Sequence, residues 1–202
     1  MKRVLVIIIL LGLAALGGGA YVLSRGLSAR TEPSSIEAMI ARPLRRLAIP
    51  GRARALKNPV PGGTEVLSRT MAHFADHCAS CHGNDGKGNT LIGRGLYPKP
   101  PDMTEAATQN LTDGEIYYII ENGIRFTGMP AFGEESGNDN DQETWDLVHF
   151  IRHLPQMTPD EVAKMKEMNP KSPSELAKEE EIRKFLQGDD SPPAANVHEH
   201  HH

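Results

Sequence analysis

The chain opens with Met1, Lys2 and Arg3, then runs "VLVIIILLGLAALGGGAYVL" from Val4 to Leu23 without a charge. About 20 apolar helical residues cross the hydrocarbon core of a bilayer, whereas the apolar part of a cleaved secretory signal has about 7–15. The length predicts an uncleaved transmembrane anchor over 4–23, with Gly18 and Ala20 leaving a small-residue cleavage site open. From Ser24 to Gly63 the pattern dissolves. Pro33, Pro43, Pro50, Pro59 and Pro61 interrupt it too often for a long helix, so it reads as a tether with one short helical turn near Ile36 to Ile40. Helical spacing returns at Thr64, where Val66, Leu67, Thr70, Met71 and Phe74 form an apolar stripe that leads into Cys78.

Residues Gly83 to Pro101 hold five glycines and three prolines and are read as loop. In "TDGEIYYIIENG", Thr112 and Glu115 form a capping box and Gly123 ends the helix. A second loop, "IRFTGMPAFGEESGNDND", leads to "ETWDLVHFIRHLP", where Leu147, Val148, Ile151 and Leu154 share one face and Pro155 stops the helix. Two more capped helices follow, one from Thr158 to Glu161 onward, the other from Ser172 to Glu175 onward with Gly188 as its end. No strand-like alternation and no internal repeat stand out. The expected fold is all-α, with three core helices joined by loops so long that something else must order them.

Charge changes the picture in one place. The net charge is −4 and aromatics are 5% of the chain, little material for a large self-sufficient core. Arg42, Arg45, Arg46, Arg52, Arg54 and Lys57 lie together with no acid among them, while eighteen acids fall between Asp102 and Glu181. The basic run reads as a solvated linker near anionic lipid, or else as a docking site for an acidic partner. Nucleic acid is excluded as a partner because the chain is acidic overall and no aromatics interleave with the arginines.

The chemistry concentrates in "FADHCASCHGNDG", which contains both cysteines of the chain. A disulfide suits an exported chain. A thioredoxin-like redox pair belongs beside a βαβ pattern, which is missing. Zinc has a rival claim, since His149 and His153 sit four apart on one helix, but the gap back to Cys81 is several times the about 12–15 residues of a finger. Cys78-Ala79-Ser80-Cys81-His82 instead fits C-x-x-C-H, the attachment signature for c-type haem, and uses all three side chains at once. Two neighbouring thiols meet the two porphyrin vinyl groups, and the adjoining imidazole coordinates the iron.

A methionine is the common sixth ligand in an electron carrier and raises the reduction potential. Met1 and Met39 lie in the anchor and tether, Met71 on an apolar stripe, and Met157, Met165 and Met168 beyond the third core helix, where methionine is more often packing. Met129, in "RFTGMPAFG" between Gly128 and Pro130, is the favoured ligand, with Met103 as runner-up.

The stretch from Thr64 to Pro155 resembles the class I c-type cytochromes: helix, "CASCHG", loop, helix, "GMPAF", and a closing helix bearing Trp145. The resemblance implies one covalent haem c held by Cys78 and Cys81 and ligated by His82 and Met129. It implies a proline carbonyl as acceptor for the other N–H of His82, for which Pro98, Pro100 and Pro101 are candidates. Arg94, Tyr97 and Arg125 are candidates for the propionates, or plain solvated loop residues. The family often has glycine where Thr70 stands, at the crossing of the first and last helices, so that crossing is expected to be wider or shifted.

The resulting organisation is a cytoplasmic start at 1–3, an anchor at 4–23, a tether at 24–63, a cytochrome c domain at 64–155, a helical extension at 156–188 and a disordered His-rich tail at 189–202. The expected function is single-electron transfer between redox partner proteins by a carrier tethered to the lipid bilayer of the cell membrane, single-pass, with the haem domain on the periplasmic side. A haem subunit of a larger dehydrogenase or terminal oxidase is the alternative, and a gas sensor or small peroxidase a weaker one.

Overall fold

The computed structural model describes residues 2–24, 26, 28–133 and 140–187. The expected His-rich tail, Gly188 as a helix end and the stretch 134–139 of the second loop lie outside the described residues. Among those described every regular element is helical.

Helix α1, Lys2–Ser24, is the apolar segment; it buries none of its side chains against the protein and is long enough to cross a membrane. The next stretch differs from expectation. Ser35–Ala48 forms α2, fourteen residues long and continuous through Pro43. An interior proline removes one backbone bond and crowds the preceding turn, but Ser34 and Glu37 make a full capping box at the helix start, a signal the count of prolines obscured. The short α3, Gly51–Ala55, lies against α7, Asp113–Asn122, with Ile49 and Ala53 buried. Beyond it Leu56 and Val60 pack on the core, Asn58 donates to the Trp145 carbonyl at 2.8 Å, and the Val60 carbonyl lies 2.7 Å from His149 Nε2. The second half of the expected tether is therefore a strap bound to the domain.

The core forms where α4, Thr64–His73, crosses α8, Gln142–His153, with α7, which follows the one-turn α6 (Ala106–Gln109) in the chain, beside α8. Phe74 and Phe150 rings meet at 4.8 Å, and Tyr117 stacks on Trp145 at 4.1 Å. Thr70 is buried at this crossing, and its hydroxyl donates to the Val66 carbonyl of its own helix at 2.6 Å, which satisfies the one polar atom glycine would have avoided. Arg69 closes the same contact from the rim with a two-pronged bond to Asp146, at 2.7 and 2.9 Å.

The capping boxes of α7, of α9 (Pro159–Lys166) and of α10 (Pro173–Leu186) form as their sequences predict. The two helices of the extension behave differently. Met165 of α9 is fully buried in the core, with Met157 and Met168 packed beside it; α10 buries nothing.

Candidate functional site

Helix α4 does not end before the cysteines. It passes through a π-turn, Phe74–Cys78, into α5, Ala79–His82, so one continuous helical path carries Cys78, Cys81 and His82. Single π-turns inside helices are frequent at functional sites, where they shift the faces that follow. Gly83, with φ of +74°, ends α5, and its N–H bonds the Ala79 carbonyl at 2.8 Å.

Both cysteines are free thiols. Burial, and next the neighbouring Cys81, push the Cys78 thiol up to about 12, so it stays protonated at neutral pH. An attacking redox cysteine needs the opposite, a lowered pKa. Burial also pushes the His82 imidazole below its ordinary value and keeps it neutral, the form that binds iron. No group of three His, Cys, Asp or Glu among the described residues could hold a metal ion, and His153, the second weighed zinc ligand, lies 3.0 Å from the Glu161 carboxylate.

The loop after His82 folds back on it. Gly88 N–H donates to the His82 carbonyl at 2.6 Å, and the Thr90 hydroxyl donates to the Ser80 carbonyl at 2.8 Å while accepting from Gly93 N–H at 2.8 Å. Gly93 is needed for this closure, because a Cβ there would lie 2.6 Å from the Cys81 carbonyl oxygen. Three residues on, the Leu96 side chain lies 2.7 Å from the place a Gly128 Cβ would occupy. The loop hung from Cys81 and His82 thus touches the residue preceding Met129.

Met129 is half-buried, and its backbone is fixed at both ends: N–H to the Thr127 hydroxyl at 3.1 Å, carbonyl from Ile124 N–H at 3.1 Å. Gly123, φ +63°, turns the chain out of α7 so closely that a Cβ would meet the Pro130 carbonyl carbon at 2.6 Å. Met103, the runner-up ligand, is buried in the core with its N–H on the Gly86 carbonyl at 2.9 Å. At the turn's tip Phe126 has φ of +62°, rare for a bulky residue, and is 93% exposed, while Leu91 on the first loop is 84% exposed.

The candidate propionate groups divide. Tyr97 donates to Glu37 of α2 at 2.9 Å and Arg94 to Asn89 at 2.8 Å, whereas Arg125 is exposed. Of the candidate prolines, Pro100 packs on the loop after His82, its carbonyl oxygen 2.7 Å from the place of a Gly88 Cβ. Yet His82 Nδ1 is buried and makes no hydrogen bond to the described residues, so the expected proline acceptor is not engaged.

Residues 66–151 match the family model described as cytochrome c oxidase, cbb3-type, subunit III. This segment is a c-type cytochrome domain. Its limits run from α4 through most of α8, leaving α1 to α3 and α9 to α10 outside the match. The cbb3-type cytochrome c oxidase subunit FixP of Azorhizobium caulinodans is 35% identical over 89 residues, 40% of this chain and 25% of that protein. The chain therefore spans about a quarter of the curated relative it matches. A cytochrome domain of this kind carries haem c covalently, and the residues present fit that group. The domain offers two free thiols on one helical path and a neutral imidazole. That imidazole's Nδ1 is buried without a hydrogen-bond partner among the described residues, so no bond within the domain ties the ring down. What the sequence did not signal is the π-turn and the anchoring of Leu96 on Gly128; neither leaves a periodicity to read.

Proposed function

We propose that the chain is a membrane-tethered carrier of single electrons, in which Cys78 and Cys81 hold haem c by thioether bonds and His82 and Met129 ligate its iron. What supports this is the neutral, half-buried His82 imidazole that follows two free thiols on one helical path inside the matched segment. Cys78 and Cys81 would hold the group by thioethers, each sulfur and its hydrogen both retained in the addition to a vinyl group, so that no oxidant would be needed. When bound, the haem supplies a one-electron iron couple. His82 and Met129 would be the protein's ligands to the iron, and the loops that bring Leu96 against Gly128 would keep both side chains still, which suits transfer of an electron with little ligand motion. In this reading the haem domain lies on the periplasmic side of a single-pass α1 and Lys2 and Arg3 stay in the cytoplasm, although the charges flanking the span, Arg25 and Arg30 after it as well as those two before it, do not decide the orientation.

Acid–acetone extraction of the purified protein tests the attachment: the haem stays with the wild-type chain and its covalent yield falls in Cys78→Ser and Cys81→Ser. In Met129→Ala the weak red absorption of sulfur on ferric iron disappears and the reduced protein gains carbon monoxide binding. Extractable haem in the wild type, or an unchanged Met129→Ala spectrum, overturns the assignment. A second reading, as the haem subunit of a terminal oxidase, is favoured by the two cbb3-type matches. Co-purification with other subunits in a fixed ratio distinguishes it from a freely working carrier.

A further inference from the structure

Helix α2 is laid on the domain with its polar side inward. Ile36, Met39, Ile40, Pro43, Leu44 and Leu47 recur at three- and four-residue spacing and form one apolar stripe. All six are exposed, the five large ones to between 52% and 70%. The least exposed described side chains of the helix, Ala38 and Arg45, lie on the opposite side. The contacts to the domain come from the flanks: Arg46 Nε donates to Glu115 at 3.1 Å, Glu37 accepts from Tyr97, and Glu32 just upstream pairs with Lys99. A helix that belonged to a water-surrounded domain would turn its stripe the other way.

Two observations say what covers the stripe. The stripe begins twelve residues after α1 ends at Ser24, so it stands at the same surface of any membrane α1 crosses. The chain from Arg42 to Lys57 carries six basic residues and no acid, which complements anionic headgroups at the level where the stripe meets the acyl chains. We infer that α2 lies in the interface of the bilayer, its apolar stripe among the upper acyl chains, while its polar side carries the cytochrome domain. The helix is thereby a platform that fixes which face of the domain looks at the membrane, namely the face of Tyr97, Lys99 and the start of α7.

This inference rests on α1 crossing the bilayer and not on the haem ligands. The full-length protein is placed in liposomes of phosphatidylcholine and phosphatidylglycerol at 3:1, with a nitroxide on a single introduced cysteine. The variants are Ile40→Cys, Leu44→Cys and Leu47→Cys on the stripe, and Ala41→Cys on the polar side. Thioether-bound Cys78 and Cys81 take no label, which the unsubstituted protein checks. Labels at 40, 44 and 47 should collide freely with oxygen and lose most of the collisions with a water-soluble nickel chelate that position 41 retains. Equal chelate access at all four positions refutes the inference. So does low access of both reagents along the stripe, which would mean protein packs there. Protein that fails to float with the liposomes refutes the anchor instead, a separate result.

Discussion

Replacing Gly114 by alanine adds one methyl group at the second position of α7, where α3 crosses it. A Cβ there would lie 1.9 Å from the Ala53 carbonyl oxygen and 2.9 Å from Leu56 Cβ. Neither neighbour is the far end of a flexible side chain, so α3 must retreat by about 1 Å to reach even a 3.0 Å contact. If it lifts away, the burial of Ile49 is lost, about 1.5–3 kcal/mol, with about 0.8 kcal/mol for the Ala53 methyl. The bond from the Thr112 hydroxyl to the Arg54 carbonyl, 3.0 Å, goes with it at about 0.5–1.5 kcal/mol. Alanine is about 1 kcal/mol better than glycine inside a helix. The balance is a loss of about 2–4 kcal/mol, a large part of the stability of an ordinary domain. Denaturant unfolding of the haem-loaded protein, followed by circular dichroism, measures it, and amide exchange over residues 49–56 locates it. A variant as stable as the parent, or more so, with those amides still protected would mean that helix propensity outweighs the close approach and that α3 is not seated on α7 as described.

Gly93→Ala pushes on the Cys81 carbonyl and should lower the yield of covalent haem while α-helix content stays; unchanged yield on expression would refute the closure of that loop. Met165→Ala should cost about 2–5 kcal/mol as a core truncation, whereas Phe185→Ala on exposed α10 should stay within about 0.5 kcal/mol, both read from denaturant midpoints. The Glu161 carboxyl is held below its ordinary range, first by the Thr158 backbone N–H and then by His153. Its folded pKa is depressed, so its contribution is present above the ordinary carboxylate range and is lost as pH falls through the folded value. Acidification should therefore loosen α9 before α8, seen as faster amide exchange in 159–166; simultaneous loosening would count against it.

The capped helices were legible because each rests on local chemistry: Thr112 with Glu115, Thr158 with Glu161 and Ser172 with Glu175 are pairs three residues apart. The haem motif was legible for the same reason. What escaped was set by partners far along the chain. Residues 49–62 read as tether because their prolines and glycines break local pattern, yet they bind through single long-range contacts, Asn58 to Trp145 and Gly62 against His149. The helicity of α2 escaped because Pro43 weighs against it and the Ser34–Glu37 box weighs for it, and composition gives no exchange rate between the two. The separation of α9 from α10 turns on which apolar side chains find the core, Met165 but not Phe185, although both sit on capped helices.

A docked α2 also changes how the anchor works. An unstructured chain of 40 residues, the length first expected between anchor and domain, spans about 32–38 Å on average, and one of ten residues, the stretch between α1 and α2, about 16–19 Å. Since effective concentration falls roughly as the three-halves power of linker length, the fourfold shortening raises encounter with a partner in the same membrane about eightfold. Arg46 and Tyr97 make two of the contacts that hold the shorter arrangement, so Arg46→Ala combined with Tyr97→Phe should lengthen the reach while the strap at 49–62 stays bound. Headgroup-labelled donor lipids in liposomes carrying the full-length protein report this directly, because the haem quenches them more strongly the nearer it lies. Weaker quenching in the double variant, with an unaltered haem spectrum, is the expected result. Quenching equal to that of the parent would mean that these two contacts do not hold the domain near the bilayer.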